Sequence, residues 1–112
     1  MTYKQFDVVV VPFPFTERTP TKKRPALIIS DATEFNKSTK KSVMAMITTA
    51  SHSPWALDVL IMDLASAGLK AKSIVRMKFF TLDDALVIKK IGKLATGDRD
   101  RLQKSLQHLF NF

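Results

Sequence analysis

Residues 22–30 read KKRPALIIS. From Pro25 to Ser30 the stretch is aliphatic and predicts a core strand. Lys22, Lys23 and Arg24 close the polar loop before it. Proline disfavours the helical region for the residue that precedes it, so Arg24 is expected to be extended, at a loop-to-strand hinge. Its side chain then leaves the sheet at a fixed angle. A guanidinium held this way is a planar fork suited to phosphate oxygens. The same local features also suit a plain strand-end surface arginine, so the reading of Arg24 depends on what surrounds it.

Working outward, Val8-Val9-Val10-Val11 predicts a strand buried on both faces. Pro12 and Pro14 cannot donate to a ladder and place its end at an edge or rim. Thr16 to Lys23 reads as a polar loop, and Asn36 to Lys41 as a turn. Ser42 to Thr49 predicts a third strand ending in small hydroxylic residues. After the loop Ala50 to Ala56 come strands at Leu57 to Ile61 and Ser73 to Met77, with a turn or helical turn between them at Asp63 to Gly68. A turn at Leu82-Asp83-Asp84 precedes a last strand, Leu86 to Ile91. The period then changes. Leu102, Leu106, Leu109 and Phe110 mark one face of a helix from about Gly97 to Phe110. Thr96 is the expected N-cap, and Asp98 and Asp100 suit the positive end of the helix. Arg99 stands where a reciprocal Glu or Gln would complete a capping box. The order predicts a mainly β fold with a C-terminal helix: a small, strongly bent antiparallel sheet or half-open barrel.

The chain has 112 residues, enough for one domain over 1–112. An apolar fraction of 46% supports one adequate core, which dimerisation would strengthen. There are no cysteines, so disulfides, thiolate metal sites and a cysteine nucleophile are excluded, as fits a reducing cytosol. No run approaches the roughly 18 apolar residues of a membrane span, and no secretory signal is visible. The net charge of +8, from 18 Lys and Arg against 10 Asp and Glu, is what a partner of polyanions carries. It is also an ordinary route to solubility.

Metal and cofactor patterns are absent. His52 and His108 lack ligand spacing and read as a loop residue and a helix-flank residue. Three glycines form no phosphate loop. Asp83-Asp84 reads as turn filling. What remains is a set of cations and hydroxyls at strand ends: Arg24, Thr48, Thr49, Ser51 and Arg76. Each has an ordinary strand role when taken singly.

Taken together, several segments resemble the MazF/PemK/Kid toxins of toxin–antitoxin systems, and in particular the PemK-like branch. They are Asp7-Val8-Val9-Val10-Val11-Pro12-Phe13, Lys23-Arg24-Pro25-Ala26-Leu27-Ile28-Ile29-Ser30, Ala45-Met46-Ile47-Thr48-Thr49, Gly68-Leu69-Lys70, Ser73-Ile74-Val75-Arg76 and Ile91-Gly92-Lys93-Leu94. The resemblance implies an SH3-like barrel, usually a homodimer, acting in the cytoplasm. It also implies a metal-independent endoribonuclease that cuts single-stranded RNA by attack of the 2′-hydroxyl, and an acidic antitoxin as partner. Carried over by position, Arg24 would bind the phosphate. Thr48 would orient it or the 2′-oxygen, and Arg76 would serve as acid or phosphate clamp. Glu17, Lys22, Lys23, Thr49, Ser51, His52 and Lys78 would line the RNA path.

Lys78 occupies a position that is often acidic in the family and in some members is proposed as the base. Phe79 follows where Gln is common, and Phe6 stands where glycine is common. The base is left open between Glu17 and His52. A non-catalytic module that binds nucleic acid or protein, or a topoisomerase-directed toxin of the related CcdB type, are the alternatives. Trp55 is expected either to stack on a base or to pack between subunits.

Overall fold

A computed structural model describes residues 1–13, 22–51 and 53–111. Six strands, β1 (Asp7–Phe13), β2 (Lys22–Ile28), β3 (Lys41–Thr49), β4 (Val59–Leu60), β5 (Ser73–Asp83) and β6 (Lys89–Lys93), form one sheet in the order β4-β5-β3-β2-β1-β6. All pairs are antiparallel. A π-helical turn (Ala32–Asn36) runs into α1 (Lys37–Thr39), α2 (Leu64–Ala67) follows β4, and α3 (Thr96–Phe110) ends the chain. This is the curled sheet with a C-terminal helix that the sequence predicts. Among the described residues no helix is long and apolar enough to cross a membrane.

Side-chain alternation gives the sheet two apolar faces. One holds the larger core: Phe6, Val8, Leu27, Ala45, Ile47, Val75 and Leu94, with Leu102 of α3 fully buried against it. The other holds a smaller core of Tyr3, Val9, Val11, Ala26, Ile28, Met44 and Leu82. Val8 and Val9 go to opposite cores, as expected of a strand buried on both sides. Helix α3 covers only the first face. Its Leu102 is buried, whereas Leu109 and Phe110 stand exposed, with Phe110 6.1 Å from the Phe79 ring.

Several boundaries differ from the sequence reading. β2 begins at Lys22, so Arg24 lies inside a strand opposite Val11 and is not at a hinge. The cause is β1, which runs through Pro12 to Phe13 and gives Lys22–Pro25 a ladder partner. Pro25 is tolerated because β2 pairs with β3 only from Ala26 onward. The expected strand at 57–61 shrinks to Val59–Leu60, since Leu57 adopts a left-handed φ of 67°. β5 continues to Asp83 alongside the long β3, so the turn falls at Asp84–Leu86 and β6 starts later than expected. The polar segment after Asp31 is helical. The Asp31 carboxylate accepts from the Thr33 and Glu34 amides, and buried Asn36 donates to the carbonyls of Tyr3 and Ser30.

Thr96 is the first residue of α3, not its cap. The N-cap is Ala95, which makes no side-chain bond. Asp98 is buried and turned the other way, accepting from the Met62 and Asp63 amides at 3.0 Å each and pairing with Arg101. It ties the start of α3 to the turn after β4.

The left-handed Phe6 (φ 74°) explains why a glycine would suit that position. Its amide donates to the Ile28 carbonyl, its own carbonyl accepts from Leu94, and Arg99 lies 4.6 Å over its ring. Gly68 and Gly92 meet across the seam between α2 and β6. A Cβ at Gly92 would come within 2.4 Å of the Ser66 carbonyl oxygen, and one at Gly68 within 2.1 Å of that of Ile91. These obstacles are backbone and cannot rotate away. Gly92→Ala is therefore expected to destabilise the fold by about 1–3 kcal/mol, the usual cost of overpacking. Urea unfolding of the two proteins, compared at equal slope, measures this.

Candidate functional site

The alternation that places Ala26 and Ile28 in the smaller core places Arg24 at its rim. On β3 the same face carries Met44, Met46 and Thr48. On β5 it carries Phe80, Lys78, Arg76 and Ile74. Between Ala45 and Ile47 the β3–β5 register slips: Ala45 faces Phe79, but Ile47 faces Val75. Arg76-Met77-Lys78 is therefore fitted against Met46 alone. The surplus is two residues, so the bulge shifts stagger without exchanging sides. The outcome is an open cleft of about 170 Å³ lined by Phe13, Arg24, Met46, Ile47, Thr48, Trp55, Arg76 and Lys78.

Arg76 is the anchored member, only 8% exposed. Its Nε donates to Asp58 Oδ1 at 3.2 Å and its Nη2 to Asp58 Oδ2 at 3.0 Å. Nη2 also donates to the Ser53 carbonyl at 2.7 Å, and Trp55 lies over the guanidinium at 4.9 Å. Nη1 has no hydrogen-bond partner among the described residues. A buried guanidinium requires such a counter-charge. Asp58 also accepts from the Trp55 amide at 2.8 Å. Burial pushes the Asp58 carboxyl up. The Arg76 hydrogen bonds, the Trp55 amide and the Arg76 charge more than offset this and hold it below its ordinary value. Arg24 is held differently: it is half-buried, with its guanidinium 5.8 Å from the centre of the Phe13 ring.

Of the residues singled out in the sequence, Arg24, Thr48, Arg76 and Lys78 line this one cleft. Lys22 is exposed on the Arg24 side of β2, and Lys23 alternates to the other. Thr49 and Ser51 lie elsewhere. Their hydroxyls bond to one another at 2.9 Å beside Ala71 and Lys72, because Thr49 alternates away from Thr48. Glu17 and His52 fall outside the described residues. His108 is exposed on α3. Asp83 pairs with Lys41, and Asp84 accepts from the Ser42 hydroxyl. The two carboxylates therefore serve the strand ends, as a turn filling would. Sequence reasoning missed Asp58. Its only signal was an acid inside the apolar run Leu57 to Ile61. No group of three or more His, Cys, Asp or Glu able to hold a metal occurs among the described residues.

The family model of the PemK-like, MazF-like toxins of type II toxin–antitoxin systems matches residues 4–110. The chain belongs to that family. A search of curated proteins gives no match. Among solved structures, the Mycobacterium tuberculosis toxin MazF-mt6 is similar at a TM-score of 0.72 and 21% identity, over 95% of this chain and 97% of that one. A MazE–MazF complex from Deinococcus radiodurans gives 0.77 at 15% identity, over 100% and 99%. A mycobacterial endoribonuclease in complex with its cognate antitoxin gives 0.76 at 14% identity, over 98% and 96%. At these identities the likeness speaks for the shared fold.

The Arg76–Asp58 pair makes stability depend on pH in a defined direction. Because the folded carboxyl lies below its ordinary value of 3.8, the contribution is full above that value. It is lost as the pH falls through the lowered folded value. Asp58→Asn is expected to remove this increment, so that its urea midpoint converges with that of the wild type in acid. Asp58→Ala, which leaves a buried charge alone, should cost about 3 kcal/mol at neutral pH.

Proposed function

We propose that this toxin is a metal-independent endoribonuclease cutting single-stranded RNA. The observation that carries the reading is the convergence of Arg24, Arg76, Lys78 and the Thr48 hydroxyl on one open cleft of a basic protein. RNA carries its own nucleophile. The 2′-oxygen attacks the adjacent phosphorus and the bond to the 5′-oxygen breaks. The 2′-proton goes to a base, and an acid delivers a proton to the leaving oxygen. A cyclic phosphate and a free 5′-hydroxyl result.

The protein must supply charge for the phosphorane and a fixed geometry. Arg24 would meet the phosphate. Arg76 is held by Asp58, with Nη1 left to clamp a second phosphate oxygen. Lys78, exposed at the rim, adds attraction, and the Thr48 hydroxyl orients the 2′-oxygen or the phosphate. Both Asp58 oxygens are engaged by Arg76, and one also by the Trp55 amide, so Asp58 orients Arg76 and does not take the proton. Glu17 and His52, which fall outside the described residues, are the candidate bases.

The partners proposed with this reading are an acidic antitoxin laid across the basic cleft and a second copy of the chain, acting in the cytoplasm. The antitoxin complexes of the similar mycobacterial and Deinococcus proteins support the first. The test uses purified protein and a long single-stranded RNA in EDTA. Discrete cuts ending in a 5′-hydroxyl are expected, and Arg24→Ala should slow them by about 100-fold or more. Tight, salt-dependent RNA binding with no cut would instead support a non-catalytic module.

A further inference from the structure

We propose that Trp55 is a stacking platform for an RNA base beside the scissile phosphate, and that Asp58 is the residue that positions it; this rests on the ribonuclease reading above. Trp55 lines the same cleft as Arg24, Thr48 and Arg76, yet remains 47% exposed. The Arg76 guanidinium lies over the ring, 4.9 Å from its centre. Nearly half of the residue still reaches solvent, in a cleft lined by Arg24, Arg76 and Lys78.

The ring is presented on a braced turn. The Trp55 amide donates to Asp58 Oδ2, the Asp58 amide donates back to the Trp55 carbonyl at 3.3 Å, and Ser53 is tied to Arg76 through its carbonyl. Leu57 closes the turn with a left-handed φ. Asp58 thus fixes the guanidinium under the ring and the backbone that carries the ring. A rigid, exposed aromatic beside a cationic backbone path is the combination by which single-stranded nucleic acid is held, because every base has a π-face and little ordering entropy is lost. The larger rings of purines would overlap the indole more than pyrimidines do.

Trp55 is the only tryptophan in the chain, so emission excited at the red edge, where Tyr3 does not absorb, reports on it alone. The experiment titrates the full chain with short 2′-O-methyl single-stranded homopolymers, which carry no attacking hydroxyl. A dye-labelled abasic strand of equal length is the control. Base-bearing strands are expected to quench Trp55 to saturation, purines more than pyrimidines, and the abasic strand is not. Trp55→Ala should weaken the base-bearing strands by roughly 5- to 150-fold, the range for loss of one stacked base. It should leave the abasic strand unchanged, and Trp55→Phe should restore most of the affinity. Asp58→Asn should lower Trp55 anisotropy in the free protein and reduce the quench at saturation.

Binding seen by the dye with no change in Trp55 emission overturns the platform. So does a Trp55 already shielded from acrylamide because a second copy covers it. Cleavage of unmodified RNA without quenching overturns only the platform. Quenching without cleavage overturns the ribonuclease reading and leaves Trp55 as the base-binding residue of a non-catalytic module.

Discussion

A slip of two residues between β3 and β5 sets the geometry on which the cleft depends. With no surplus, Lys78 would lie directly opposite Met46 and Arg76 directly opposite Thr48, and Ile74 would not reach Thr48. With a surplus of one, the slip would send Arg76 to the face occupied by Val75 and the larger core. Two extra residues compress the stretch and keep every side chain on its side. The same parity runs back through Met46 and Ala26 to Arg24 on β2, two strands away from β5. The cleft is thus the polar end of the smaller core, built by one alternation rule applied to β2, β3 and β5.

Charge balance then decides what each cation can do. Arg76 is too buried to stand without a counter-ion, and Asp58 supplies it from the turn before β4. Lys78, two residues beyond Arg76 on the same strand, cannot play that part, and the carboxylate that meets Arg76 comes from another element. Arg24 needs no such partner, because it remains half in solvent and leans on the Phe13 ring. One arginine is held by an ion pair and a backbone carbonyl, the other by a ring contact at the rim.

The elements that sequence reading placed well are those where one periodicity dominates. The valine run of β1 and the leucines of α3 allow no second interpretation. It failed where tertiary contacts override the local signal. β2 starts early because β1 offers it a partner. The strand at 57–61 is cut short by the turn that serves Arg76. Asp98, which looked like a helix-end charge, is used as a clasp for the backbone of Met62 and Asp63. For the cleft, Arg24 and Thr48 could be picked out from strand ends, but strand parity is needed to separate Thr48 from Thr49. Asp58 showed only as an acid inside an apolar run, because its main partner lies 18 positions away.

The lysines of β6 carry a different consequence. Among the described residues this strand is the last in the sheet and pairs only with β1. Lys89, Lys90 and Lys93 are all exposed along it, and Lys90 pairs with Asp7. The opposite edge, β4, is only two residues long. Charged side chains and very short strands are the devices by which sheets avoid edge-to-edge aggregation. Part of the net charge of +8 therefore protects the fold from its own copies. The salt dependence of polyanion binding should count the cations that face the cleft and not the chain's whole excess.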